Sequence, residues 1–233
     1  MSYDSTVLAD SPTIYYKLDE ALGTTAVDSS GNGKDGTYVG PVTFQQPSLI
    51  LSEPAGYSTL FDNSGDTPGQ YVNTPNFNPA AAITLEMWLK LDDDPLTGTV
   101  WNYWAESGYN VSRFGVTVTG KLYNYSVSDN ITTTVFTDGS THYLAVTYDG
   151  TYVRGYVDGY MEVELLGAHT YTTGSFLTFN FPNSWGAEYA IKGYMQKLAV
   201  YNGAALGADR ILAHWNAANP STVISPMPCF RPT

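Results

Sequence analysis

The chain has 233 residues, 43% of them hydrophobic, with 22 glycines, 19 tyrosines and a formal net charge of −12. That length and apolar share fit one folded β-domain rather than a disordered chain. Ten Lys and Arg against 22 Asp and Glu exclude a nucleic-acid backbone or an anionic membrane surface as the partner, since both need clustered basic residues.

From the N-terminus, residues 3–10 read as a short turn or helix before Pro12, and Ile14 to Leu18 as a strand. Asp28-Ser29-Ser30-Gly31-Asn32-Gly33 is a loop of residues that tolerate positive φ. Residues 44–56, with Pro47 and Pro54, read as irregular, Tyr57–Phe61 as a short strand and Asp62–Gly69 as a polar loop. The clearest strand is Ile83–Leu91. Ile83, Leu85, Met87, Leu89 and Leu91 fall on one face, and Thr84, Glu86, Trp88 and Lys90 on the other. Period two predicts that the first face packs on a second sheet and the other looks outward. From His142 to Leu166, the pairs Asp149-Gly150 and Asp158-Gly159 separate three alternating runs, which predicts an antiparallel meander. Residues 171–181 and 194–201 read as further strands, and Leu206–Ala218 as one short C-terminal helix. Short strands joined by turns predict a two-sheet antiparallel sandwich or jelly roll. Residues 1–219 then form the domain. Residues 220–233 form an arm, because Pro220, Pro226, Pro228 and Pro232 cannot donate to a sheet.

Several segments, in order, resemble the laminin-G-like branch of the concanavalin A-like lectin/glucanase superfamily found in bacterial and phage surface proteins. They are Tyr15–Glu20, Asp28–Gly33 with Gly36–Tyr38, Phe61-Asp62 with Tyr71-Val72, Thr84–Lys90, His142–Gly150, Arg154–Gly159 and Gly193–Asn202. The resemblance spans roughly residues 12–218. It implies two stacked antiparallel sheets in an all-β jelly roll and leaves function open, because the fold hosts lectins, glycanases, adhesion modules and structural proteins. It also implies a structural role for His142, at the start of a strand.

Glycanases need two closely spaced carboxylates on one face. Glu86 has no acid at i±2. Glu162 and Glu164 have the spacing but no aromatic residue within their strand to hold a sugar, and they read as a solvated face. His142, His169 and His214 lack metal-ligand spacing, and Cys229 lacks an activating partner. No catalytic residue is assigned, and the domain is expected to bind rather than catalyse. The resemblance raises calcium as a bound ion, with Asp19, Glu20, Asp28, Asn32, Asp62, Asn63 and Asp66 as oxygen donors. Against it, Gln196 stands where the family often has an acid and Lys197 where it sometimes has another, and a lysine repels a cation. No metal ligand or cofactor is therefore assigned.

Trp101, Tyr103 and Trp104, followed by Glu106, Tyr109 and Asn110, combine aromatic faces with polar groups suited to a glycan or a protein partner. The same run also reads as a strand. Asn110, Asn124 and Asn130 begin glycosylation sequons and read as chance matches, because the N-terminus has neither the basic nor the apolar region of a secretory signal. No apolar run approaches the ~18 residues of a membrane span. Lone Cys229 excludes an intramolecular disulfide. These features lead to the expectation of a virion-surface structural or interaction protein. Its arm, through Pro226, Pro228 and Phe230, would dock on viral shell or tail proteins or on another copy of itself, with cell-surface glycans as a further partner. A lectin-like module is the alternative.

Overall fold

The computed structural model describes residues 2–62, 69–76, 80–91, 98–105, 111–116, 121–124, 132–136, 138–167, 175–179 and 192–220, with the backbone alone for 98–105, 111–116, 123–124 and 175–178. In chain order the elements are α1 (Tyr3–Leu8), β1 (Ile14–Tyr16), β2 (Thr25–Ala26), β3 (Gly36–Val39), β4 (Thr43–Pro47), β5 (Tyr57–Phe61), β6 (Tyr71–Asn73) and β7 (Ile83–Leu91). They continue with β8 (Gly98–Ala105), β9 (Val111–Val116), β10 (Leu122–Asn124), β11 (Thr141–Tyr148), β12 (Tyr152–Val157), β13 (Tyr160–Leu166), β14 (Ser175–Phe179), β15 (Gly193–Asn202) and α2 (Ala208–Ala218). Among the described residues the strands form two antiparallel sheets. One has eight strands in the order β13-β12-β11-β7-β15-β5-β4, with β1 also paired to β15; the other has seven in the order β10-β9-β8-β14-β6-β3-β2. The jelly-roll sandwich expected from the sequence is present.

The interior is built as the alternation of β7 predicts. Ile83, Leu85, Met87, Leu89 and Leu91 join Leu144, Val146, Met195 and Val200 of the same sheet, and meet Ala26, Tyr38, Val72, Leu122 and Phe179 of the other. The turn between β12 and β13 follows from its sequence. Asp158 and Gly159 both have positive φ, 51° and 86°, as the favoured two-residue hairpin loop requires. Residues 44–56 correct the sequence reading: Thr43–Pro47 is an edge strand. It carries a bulge and the positive-φ residue Gln45, and its closing proline is of the kind an edge tolerates.

A larger correction concerns the second face of β7. Thr84, Glu86 and Trp88 do not look outward; all three are buried, Glu86 and Trp88 against the helices and Thr84 against Ala204 and Leu206 just before α2. In α2, Ile211, His214, Trp215 and Ala218 recur at helical spacing and give one face. That face stacks Trp215 on Trp88, with ring centroids 5.2 Å apart and an interplanar angle of 11°. The shorter α1 is capped by Ser2, whose hydroxyl accepts from Ser5 N–H at 3.2 Å. Its Tyr3 and Val7, one turn apart, enter the same apolar layer.

Candidate functional site

Register assigns positions on the seven-stranded sheet to its two faces. Phe179 lies in the interior and pairs with Val72 and Trp101. Directly opposite residues of an antiparallel pair share a face, so positions 101 and 103 fall on the interior side and 102 and 104 on the outer side. Leu122, a second interior anchor, gives the same phase for β9, with position 114 inside and 113 outside. The outer face therefore carries one row across five neighbouring strands: Thr37, Asn73, Thr178, Asn102 and Arg113. The next row towards the end of β8 pairs Trp104 with Phe176, while Tyr71 pairs with Val39 two residues before Asn73. Thr37 is exposed, and Asn73 and Tyr71 are half-buried. Both helices pack on the other sheet. By residue type the row holds two threonines, two asparagines and an arginine beside aromatic positions, the types whose donors and rings a sugar requires.

Register thus splits the aromatic run singled out in the sequence. Trp104 shares the outer face with Asn102, whereas Trp101 and Tyr103 take interior positions. Glu106, Tyr109 and Asn110, and the arm residues Pro226, Pro228 and Phe230, lie outside the described residues. Thr37, Asn73, Thr178 and Arg113 were missed in the sequence. Their signal is the polar member of each alternating strand, and it gains meaning only once the strands are aligned.

The outer face of the eight-stranded sheet is closed by a polar hub. Fully buried Glu86 accepts from the hydroxyls of Tyr143 and Tyr201, the latter at 3.0 Å, and pairs with His214 Nδ1 at 2.9 Å. His214 Nε2 lies 2.9 Å from Asp10, which also binds Arg210. Each ring nitrogen thus faces a carboxylate, an arrangement that favours the form of the ring with two N–H donors. Burial opposes the charge of that form, but Glu86 and Asp10 outweigh it and raise His214 above its ordinary value. Burial, reinforced by Glu86, pushes Tyr3, Tyr143 and Tyr201 far up, so they stay neutral. The hub is sealed and structural.

The other carboxylates singled out in the sequence are engaged separately. Glu162 accepts from Thr133 and Thr134, while Glu164 binds Arg154 at 2.6 Å. Asp28 accepts from the backbone N–H groups of Lys34, Tyr15 and Ser30 and from the Ser30 hydroxyl. Burial opposes its charge, yet these donors hold its pKa below the ordinary value. Glu20 accepts from Val27 N–H and Tyr38 hydroxyl. Asn63 and Asp66, and also His169 and Cys229, lie outside the described residues. Among the described residues no group of three or more His, Cys, Asp or Glu side chains is arranged to hold a metal ion. His142 joins Asp158 at 3.0 Å and Asp138 at 3.3 Å, tying the start of β11 to the β12–β13 turn.

Among solved structures of similar fold, domain 4 of AbnA, a GH43 extracellular arabinanase from Geobacillus stearothermophilus in complex with arabinotriose, has a TM-score of 0.63 at 16% identity. The match covers 87% of this chain and 97% of that domain. The binding domain of Paraclostridial Mosquitocidal Protein 1 has a TM-score of 0.61 at 10% identity, covering 90% and 53% of the two chains. The ligand-binding domain of botulinum neurotoxin serotype D, in complex with N-acetylneuraminic acid, has a TM-score of 0.63 at 10% identity, covering 92% and 52%. The chain spans about half the length of these two toxin domains. At such identities the likeness speaks for the fold. No curated protein matches the chain in sequence. A laminin-G family model, described as the concanavalin A-like lectin/glucanases superfamily, matches residues 64–212. That stretch is more than half of the chain and ends within α2, so the chain belongs to the concanavalin A-like lectin/glucanases superfamily.

Proposed function

We propose that this domain is a non-catalytic carbohydrate-binding module that holds a neutral oligosaccharide along the outer face of the seven-stranded sheet. The observation that carries the reading is the cross-strand row Thr37, Asn73, Thr178, Asn102 and Arg113 beside Trp104. Its length across five strands suits several sugar units rather than one. The arabinanase domain of the same fold, which is in complex with arabinotriose, supports the ligand class. The row contains no acid, and Glu162 and Glu164 are bound to other groups, which supports binding without hydrolysis. Calorimetric titration with arabinotriose and a panel of neutral oligosaccharides tests it. Binding is expected, with Trp104→Ala weakening it by about 2 kcal/mol, roughly 30-fold, as for a central aromatic anchor. No binding across the panel, or an unchanged affinity in Trp104→Ala, overturns it. Release of reducing sugar by the purified protein would overturn the non-catalytic half.

A virion-surface setting, with assembly through the arm, is the second reading, favoured by the proline-rich composition of residues 220–233. Light scattering of the full chain and of a form ending at Asn219 checks it. An oligomer that becomes a folded monomer on truncation supports the setting, and the same mass for both forms counts against it.

A further inference from the structure

The described lysines and arginines are mostly paired. Lys17, Lys192 and Lys197 reach carboxylates, as do Arg154 and Arg210, and Lys121 is engaged. Among the described residues this leaves Lys34 and Lys90 with no partner for the ammonium, in a chain of net charge −12. Each lines a cleft. Around Lys34 the polar groups are committed: Asn32 donates to the Pro12 and Thr13 carbonyls, and Ser30 donates to Asp28. Around Lys90 only Ser48 is committed, its hydroxyl bonding Ile50 and Gln196. Lys90 stands in register between Thr141 of β11 and Tyr194 of β15, two residues past Trp88 on the outer face of the eight-stranded sheet. There the helical cover has ended, and Pro47, Ser48 and Leu49 form the wall. Neither the Thr141 hydroxyl nor the Tyr194 hydroxyl has a partner among the described residues. All three row members are half-buried.

We infer that this cleft is a second sugar subsite, selective for a single carboxylate-bearing unit such as a uronate or a sialate. An unpaired ammonium in a strongly acidic protein is the complement of a carboxylate. The tyrosine ring and the Leu49 wall supply an apolar surface for a sugar face, and Thr141 and Tyr194 supply hydroxyl partners. The cleft measures about 200 Å³, below the ~300–1,000 Å³ of sites for drug-sized ligands, so it fits one ring and not a chain. The subsite lies on the sheet opposite the proposed platform and does not depend on it.

Ligand-observed NMR and calorimetry of the full chain with glucuronate, N-acetylneuraminate, glucose and sodium acetate test the inference. The expected result is binding of at least one acidic sugar, at least tenfold more weakly for glucose and acetate, and weakening with added salt. Lys90→Gln should lose at least tenfold for the acidic sugar with its melting temperature intact, while Trp104→Ala keeps it. If Lys90→Gln fails to fold, Tyr194→Phe with Thr141→Val serves, and the same loss is expected. Equal binding of acetate marks a bare anion site and overturns the inference. So do equal binding of glucose, binding of neither acidic sugar, or full affinity in the variants. Titration with arabinotriose runs separately, so failure at the platform and failure at this cleft are distinguished.

Discussion

Glu86→Ala is expected to destabilise the fold by about 3–5 kcal/mol, the usual cost of breaking a buried charge pair, and to lower the thermal midpoint by roughly 6–20 °C for a chain of this size. The substitution removes the acceptor shared by Tyr143, Tyr201 and His214 and leaves all three donors in a dry layer. It also opens a void between α2 and the sheet. Glu86→Gln retains one acceptor and should cost less, about 1–3 kcal/mol. A melting temperature for Glu86→Ala within about 2 °C of the parent would show that the hub carries no stability. The pH dependence has a definite sign. His214 is raised above its ordinary 6.5 in the folded chain, with burial opposed by Glu86 and Asp10. Its contribution is therefore complete below pH 6.5 and fades as pH rises through the folded value. Around it, Arg210 stays charged and Tyr3, Tyr143 and Tyr201 stay neutral. Denaturant melts of the parent should show that loss on the alkaline side, and Glu86→Ala should flatten it.

Much of this fold was legible because its signals are local. The β7 alternation named the interior face, and the Asp158-Gly159 pair named a hairpin whose two positive-φ residues the structure shows. The misreading of Glu86 has a physical cause. A polar residue on an alternating strand looks solvated unless its partners are known, and these lie 57, 115 and 128 residues away. Strand β4 was hidden for a similar reason, since the bulge at Gln45 and the closing Pro47 read as loop chemistry until the pairing with β5 is seen. The candidate binding face was half legible. Trp104 was visible as an aromatic residue, but its neighbours Thr178, Asn73 and Thr37 come from three other strands. Cross-strand register cannot be read from one strand, and it sent Trp101 and Tyr103 to the interior side and kept Trp104 outside.

A second buried charge cluster fastens the other end of α1, and Lys197→Ala is expected to cost about 3–5 kcal/mol by the same rule. Lys197 is 3% exposed and sits at the β15 bulge with a φ of 54°. Its ammonium lies 2.7 Å from Asp4 and 2.9 Å from Glu53, and Lys17 reaches Asp4 at 2.9 Å. Without Lys197, Glu53 loses this ammonium, Asp4 keeps only Lys17 and the Tyr15 hydroxyl, and α1 loses one of its anchors. The early readout is local. Amide exchange over residues 3–8 should speed up, and tryptophan emission should shift as Tyr3 leaves Trp88. Protected amides there in Lys197→Ala would mean that apolar packing alone holds the helix. The acid limb separates this cluster from the Glu86 hub. Burial works against the Asp4 charge, but Lys197, Tyr15 and Lys17 lower its pKa from 3.8 to about 2. That difference is worth roughly 2 kcal/mol, present above pH 3.8 and lost as pH falls through about 2. Lys197→Ala should remove most of this acid dependence and leave the alkaline one untouched. Asp4 lies in α1, and Asp10, the far partner of His214, lies just beyond it. The two clusters therefore hold one segment at both ends. Once either is broken the segment is partly free, and the double variant should lose less than the sum of the two single losses.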